Sequence, residues 1–172
     1  MTLSVRGMDI FDRLFLLVKG AIFTFIIPLT FAYRIPRDYF GVDLIFSDDS
    51  LYWFPGYVLV CLGLLGYLWC VWHFIFDGRG TPAPFDPPRR MIAKGLYLKS
   101  RNPMYVSIIS VILGWALIYE SLMLIYYGLT MLFLFDVFIV GFEEPILQKK
   151  YPVAYPRYCN NVPRWFDIRE KE

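Results

Sequence analysis

One histidine and three cysteines are a thin supply of metal ligands for a chain of 172 residues. A single imidazole, His73, cannot build a multi-histidine metal site or a haem pair, so no metal is expected. His73 reads instead as an interfacial or interhelical hydrogen-bonding group. Cys61 and Cys70 fall in one apolar run and Cys159 lies far from both, a spacing that suits packed thiols and fits neither a zinc clip nor a disulfide frame. The Gly78-Arg79-Gly80 stretch lacks a preceding strand and a third glycine, so it is a turn and not a phosphate-binding or dinucleotide-binding loop. No sustained internal repeat is visible, and no nucleic-acid partner is expected. Charge is scarce as well, at 19% of residues.

What is abundant is apolar surface. Hydrophobic residues make up 58% and aromatic residues 20%, with a mean hydropathy of +0.48, well beyond the composition of a water-soluble domain. The longest uncharged run, Leu51 to Phe76, holds 26 residues. As a helix it reaches ~39 Å at ~1.5 Å per residue, enough to cross a ~30 Å hydrocarbon core. Leu14 to Tyr33 is apolar except for Lys19, which can snorkel to the headgroups, and Pro28 predicts a kink or break there. Between Asn102 and Phe142 the only charges are Glu120 and Asp136, which suits two spans joined by a tight turn at residues 118–121.

The fold expected is therefore all-α and integral to a membrane. It forms one domain over residues 1–172, with about four spans at 14–33, 51–76, 103–119 and 121–142, the last two forming a helical hairpin. The loop at 77–101 holds six basic residues against two acids, whereas 34–50 holds two against four. The positive-inside rule then puts the 77–102 loop, the 143–172 segment and both termini in the cytoplasm, in a bacterial inner membrane or its equivalent. No cleaved signal peptide, prenylation box or lipid anchor is expected.

Chemistry should sit on that cytoplasmic side. Five prolines between Thr81 and Pro103 make the loop a low-entropy scaffold. Glu143 and Glu144 are expected at the C-terminal end of the last span, where they repel each other and oppose the helix dipole, so a cation should compensate them: Lys149, Lys150 or Arg101. Asp136 lies inside an apolar stretch and marks a functional position by default, with His73 or a loop arginine as its partner.

"KGLYLKSRNPMY" at 94–105, an apolar hairpin, "FEEPILQKKY" at 142–151 and "YPRYCNNVPRW" at 155–165 follow one another in the chain. In this order they resemble the isoprenylcysteine carboxyl methyltransferase family and its bacterial relatives, within the wider group of small membrane phospholipid methyltransferases. The likeness covers residues 78–166. Asn102 stands where that family has histidine, and Ile139 where the eukaryotic enzymes carry an arginine that meets the substrate carboxylate.

The resemblance implies methyl transfer from S-adenosylmethionine, held in a pocket of the 77–103 loop and the C-terminal segment, to a small lipophilic acceptor arriving from the bilayer. It implies cofactor contacts at Arg89, Arg90, Met91, Ile92 and Tyr97, then at Asn102, Pro103, Met104 and Tyr105, and at Glu143. Pro82 is expected to help close the pocket. Glu143, Glu144, Asp136 and Arg101 are the candidates for catalytic roles. The acceptor class stays open among an isoprenoid carboxylate, a phospholipid amine and an apolar thiol; only the last two need a base. The contrasting expectation is a non-catalytic lipid-binding or transport-associated membrane protein, in which the glutamates pair with loop arginines and the basic loop binds anionic headgroups.

Overall fold

The computed structural model describes residues 22–41, 51–77 and 91–166. All the regular elements among them are helical. Helix α1 occupies 22–40, α2 Trp53–Phe76, α3 Pro103–Ile118, α4 Leu122–Lys150 and α5 Ala154–Asn161, with a short 3-10 turn at Gly95–Leu98. Two helices are long and apolar enough to cross a membrane, Trp53–Phe74 with mean hydropathy 1.8 and Leu122–Lys150 with 2.1. Helix α3 is equally apolar in character but shorter, at 16 residues.

Helix α1 departs from its expected end at Tyr33. It runs through Pro28 and on to Phe40, stopping at Gly41 in the left-handed conformation. Proline lacks an N–H and crowds the preceding turn, and the misfit is taken up by π-helical turns at Ile22–Ile26 and Thr30–Arg34 on either side. Carbonyls in the second of these turns accept from neighbouring helices. Trp115 Nε1 donates to Ala32 O at 3.0 Å, and the Tyr127 hydroxyl donates to Phe31 O at 2.9 Å. Residues 14–21 of the predicted span lie outside the described residues.

Glycines let α2 and α3 touch backbone to backbone. A Cβ on Gly63 would stand 2.7 Å from Ser107 O, and one on Gly114 2.8 Å from Gly56 O. The small-residue face of α2 is therefore consumed within the chain. The expected turn at 118–121 is present: Glu120 takes a positive φ of 47° and Ser121 Oγ caps α4 by accepting from Leu124 N.

Helix α4 runs beyond its expected end at Phe142, to Lys150. Pro145 would break a regular ladder by removing its own donor, and a π-helical turn at Ile139–Glu143 absorbs the defect. Glu143 and Glu144 consequently lie within a helix and not at its negative end, so the dipole expectation falls away.

Packing is densest where α2, α3 and α4 meet. Val60, Val111, Trp115 and Leu124 fill the hairpin end, Tyr67, Ile108, Ile112 and Met131 the middle, and Cys70, Ile92 and Tyr97 the opposite end. The outer faces are apolar and open: Leu62, Leu65, Leu129 and Phe133 are each more than half exposed. Water disfavours such continuous apolar surface, whereas lipid accepts it.

Candidate functional site

The segment leading into α3 is held from both sides. Gly95 has a φ of 53°, and a side chain there would collide with the Trp69 indole, so only glycine allows the turn that delivers Tyr97 inward. Tyr97 is buried, and the Tyr158 hydroxyl of α5 donates to its carbonyl at 2.5 Å. Burial holds both phenols above their usual pKa range.

Downstream of Tyr97, residues 100–102 clasp the C-terminal segment. Arg101 N donates to Pro163 O at 2.9 Å, while Ser100 Oγ and Asn102 Nδ2 both donate to Arg164 O at 3.1 Å. Pro103 then opens α3 in the first turn, where a missing N–H costs nothing.

The acids of α4 meet this segment through two guanidiniums. Arg164 grips Glu144 with Nε at 3.0 Å and Nη2 at 3.1 Å, and Arg101 Nη1 reaches the same carboxylate at 3.0 Å. The hydrogen bonds that Arg164 donates to Glu144 raise its pKa above the usual value. Asp136 receives Trp165 Nε1 at 3.0 Å and Arg164 Nη1 at 3.4 Å. Arg101 Nη1 also approaches Cys159 Sγ at 2.8 Å. Neither Lys149 nor Lys150 takes the expected place beside the glutamates.

Glu143 turns the other way. Its Oε2 accepts from the Tyr105 hydroxyl at 2.9 Å, and both residues line a cavity of about 410 Å³. Tyr97, Arg101, Asn102, Pro103 and Met104 line it too. Apart from Tyr67 of α2, the rest of the wall is apolar, with Phe31 from α1, Phe74 from α2, Ile108 from α3, and Met131, Phe135 and Phe138 from α4. A cavity of this size, apolar with a few converging polar groups, is the form a small-molecule site takes.

Most of the residues expected at the site are thus brought together. Met91 and Ile92 are not among those lining the cavity, and Ile92 packs against Cys70 and Tyr97. Asp136 and Glu144 form the clamp behind the wall. Arg89, Arg90, Pro82 and the turn at 78–80 lie outside the described residues. His73 is not the partner of Asp136: it bonds Asp77 and lies against the Trp69 ring. That bond, aided by Lys94, holds the Asp77 carboxyl below its usual pKa.

Arg164 and Trp165 are the residues that sequence reasoning missed as site members. Their signal was the Val162-Pro163-Arg164 block, visible only as part of the resemblance.

A protein whose described residues form helices, two of them long and apolar enough to cross a membrane, around a polar-ended cavity is the class that fold and site define. The profile of the phospholipid methyltransferase family matches residues 51–154, 104 of the 172 residues. The chain belongs to that family of membrane-associated methyltransferases, and the matched region holds α2, α3, α4, the Tyr97 turn and both glutamates. No curated protein and no solved structure matches the chain significantly.

Proposed function

We propose that the protein transfers a methyl group from S-adenosylmethionine to a small lipophilic acceptor, with the reaction centred on the cavity between α1, α2, α3 and α4. The observation that carries this reading is the convergence of Tyr97, Arg101 to Tyr105 and Glu143 on one cavity in a chain of this family. Buried polar atoms on Tyr97 and Arg101 and a carboxylate without a cation among the described residues, together with flanking aromatic rings, suit a ligand with a charged end and a planar base. When bound, such a donor supplies a methyl group on a sulfonium, already activated towards nucleophiles.

The chain's own contribution is placement and exclusion of water. Tyr97, Asn102, Pro103, Met104, Tyr105 and Glu143 would hold the donor, and the apolar wall from α1 and α4 would seat the acceptor's lipophilic part. Tyr105 orients Glu143 and leaves one carboxylate oxygen without a donor among the described residues, able to take a proton from an amine or thiol acceptor. Arg101, Asp136 and Glu144 keep the wall in place through Arg164. Ile139 is buried, and Arg101 is engaged by Glu144, which leaves a carboxylate acceptor no free cation among the described lining residues. Amine and thiol acceptors therefore stand ahead of a carboxylate.

Four spans, a cytoplasmic cavity and cytoplasmic termini in a bacterial inner membrane or its equivalent complete the proposal, supported by the basic excess at 77–101. The test is incubation of purified protein with methyl-labelled S-adenosylmethionine and a total lipid extract. Protein-dependent label in the organic phase supports the reading, base-stable for nitrogen or sulfur and base-labile for a methyl ester. Its absence contradicts methyl transfer to a lipid.

A further inference from the structure

The two ends of the cavity differ. Tyr97, Arg101, Asn102 and Glu143 bring polar groups to one end, whereas Tyr67 of α2, Ile108 of α3 and Met131 of α4 line the other. These three are buried, at 9%, 7% and 8% exposure, and with Ile112 they belong to the central packing cluster. From Glu143 to Met131 α4 rises ~18 Å at ~1.5 Å per residue, so the cavity is a slot running along that helix.

Close helix contacts explain why the slot stops at Met131. Beyond it on α4, a Cβ on Gly128 would stand 3.3 Å from Leu113 and 3.4 Å from Ile112. One turn beyond Tyr67 on α2, a Cβ on Gly63 would stand 2.7 Å from Ser107 O. On the α1 side the Tyr127 hydroxyl, one turn below Met131, donates to Phe31 O at 2.9 Å. Among the described residues the helices thus converge past this level at crystal-like packing density, and a chain lying in the slot must end there. The side is less closed than the floor, because Leu134 of the same wall is half exposed on the outer face of α4.

We propose that Met131, backed by Tyr67 and Ile108, is a specificity-determining floor that fixes the longest apolar chain an acceptor can seat. The assignment rests on the methyl-transfer reading of the same cavity and leaves the roles of its polar end unchanged. Met131 is the adjustable member, since its unbranched thioether fills space without a hydrogen bond to lose. Each methylene seated against the wall is worth about fourfold in binding, and one that meets the floor adds nothing.

The test is the rate of label transfer from methyl-labelled S-adenosylmethionine to straight-chain alkanethiols and alkylamines of increasing length, with full-length protein in detergent micelles. In wild type kcat/KM rises about fourfold per methylene and then levels off at one length. Met131→Ala moves that length up by about two or three methylenes, the reach of the side chain removed. Met131→Phe moves it down, and decides the matter if the alanine variant does not fold. Leu129→Ala, on the exposed face of α4, leaves it unchanged. Rates taken relative to wild type at each length cancel the partition of the chains into detergent. A levelling-off length that is the same in wild type and both Met131 variants, or absent from wild type, overturns the floor and leaves methyl transfer standing. So does label in a total lipid extract with none in any thiol or amine, because recognition then resides in a head group and not in the slot. No label in the lipid extract or in any probe overturns the methyl-transfer reading and the floor with it.

Discussion

The Tyr105 hydroxyl, in the first turn of α3, donates to Glu143 Oε2 of α4 across 2.9 Å, while the adjacent Glu144 faces Arg101 and Arg164. Two neighbouring carboxylates are thereby given separate environments. One is neutralised in a clamp that fastens the C-terminal segment, and the other lines a cavity with no cation beside it among the described residues.

Arg164 ties the clamp together, so its removal should be felt in stability. Arg164→Ala loses the two-pronged contact with Glu144 and is expected to cost about 1–3 kcal/mol. Arg164→Lys should recover only part, because an ammonium cannot reproduce the fork. Thermal unfolding in detergent checks this, and a lysine variant as stable as wild type would remove the two-pronged contact from the account.

Close approach of α2 to α3 predicts a contrast between two glycines. Gly63→Ala sets a Cβ 2.7 Å from Ser107 O and is expected to cost about 1–3 kcal/mol through overpacking. At Gly141 an added Cβ meets nothing within 4 Å, so Gly141→Ala should leave the unfolding midpoint unchanged or slightly raised. Equal effects at the two positions would contradict the helix contact.

Asp77 predicts a pH dependence. Its pKa is lowered chiefly by the hydrogen bond from His73, with Lys94 adding to it. A depressed carboxyl contributes stability above its unfolded pKa of about 3.9, and that contribution fades as pH falls through the lower folded value. Asp77→Asn should therefore unfold more easily than wild type at neutral pH, with the difference shrinking below about pH 4. A difference that persists undiminished in acid would show that Asp77 acts by another route.

Local chemistry made the Tyr97 to Tyr105 junction legible in sequence, because Gly95, Asn102 and Pro103 mark a turn and a helix start within a few residues. Glu143 stood out as a carboxylate at the edge of an apolar run. The role of Arg164 did not, since its contacts reach 20 and 28 residues back to Glu144 and Asp136 and follow no helical spacing. Helix ends were misjudged at Tyr33 and Phe142 for one reason. Each was set where the apolar run ends, before Arg34 and before Glu143, whereas the helices continue through those charges, with π-helical turns beside Pro28 and Pro145. Arg101, one of the cations expected beside the glutamates, does reach Glu144, whereas the other partners of Glu144 and Asp136, Arg164 and Trp165, come from a distant segment that no local spacing points to.

The most direct test of methyl transfer at the Tyr105–Glu143 cavity is the initial rate of label transfer into lipid by Glu143→Ala, beside wild type of matched thermal stability. Loss of the cavity carboxylate is expected to lower the rate by about a hundredfold or more. Equal label in the organic phase from the two proteins would contradict the account and move the reaction away from Glu143.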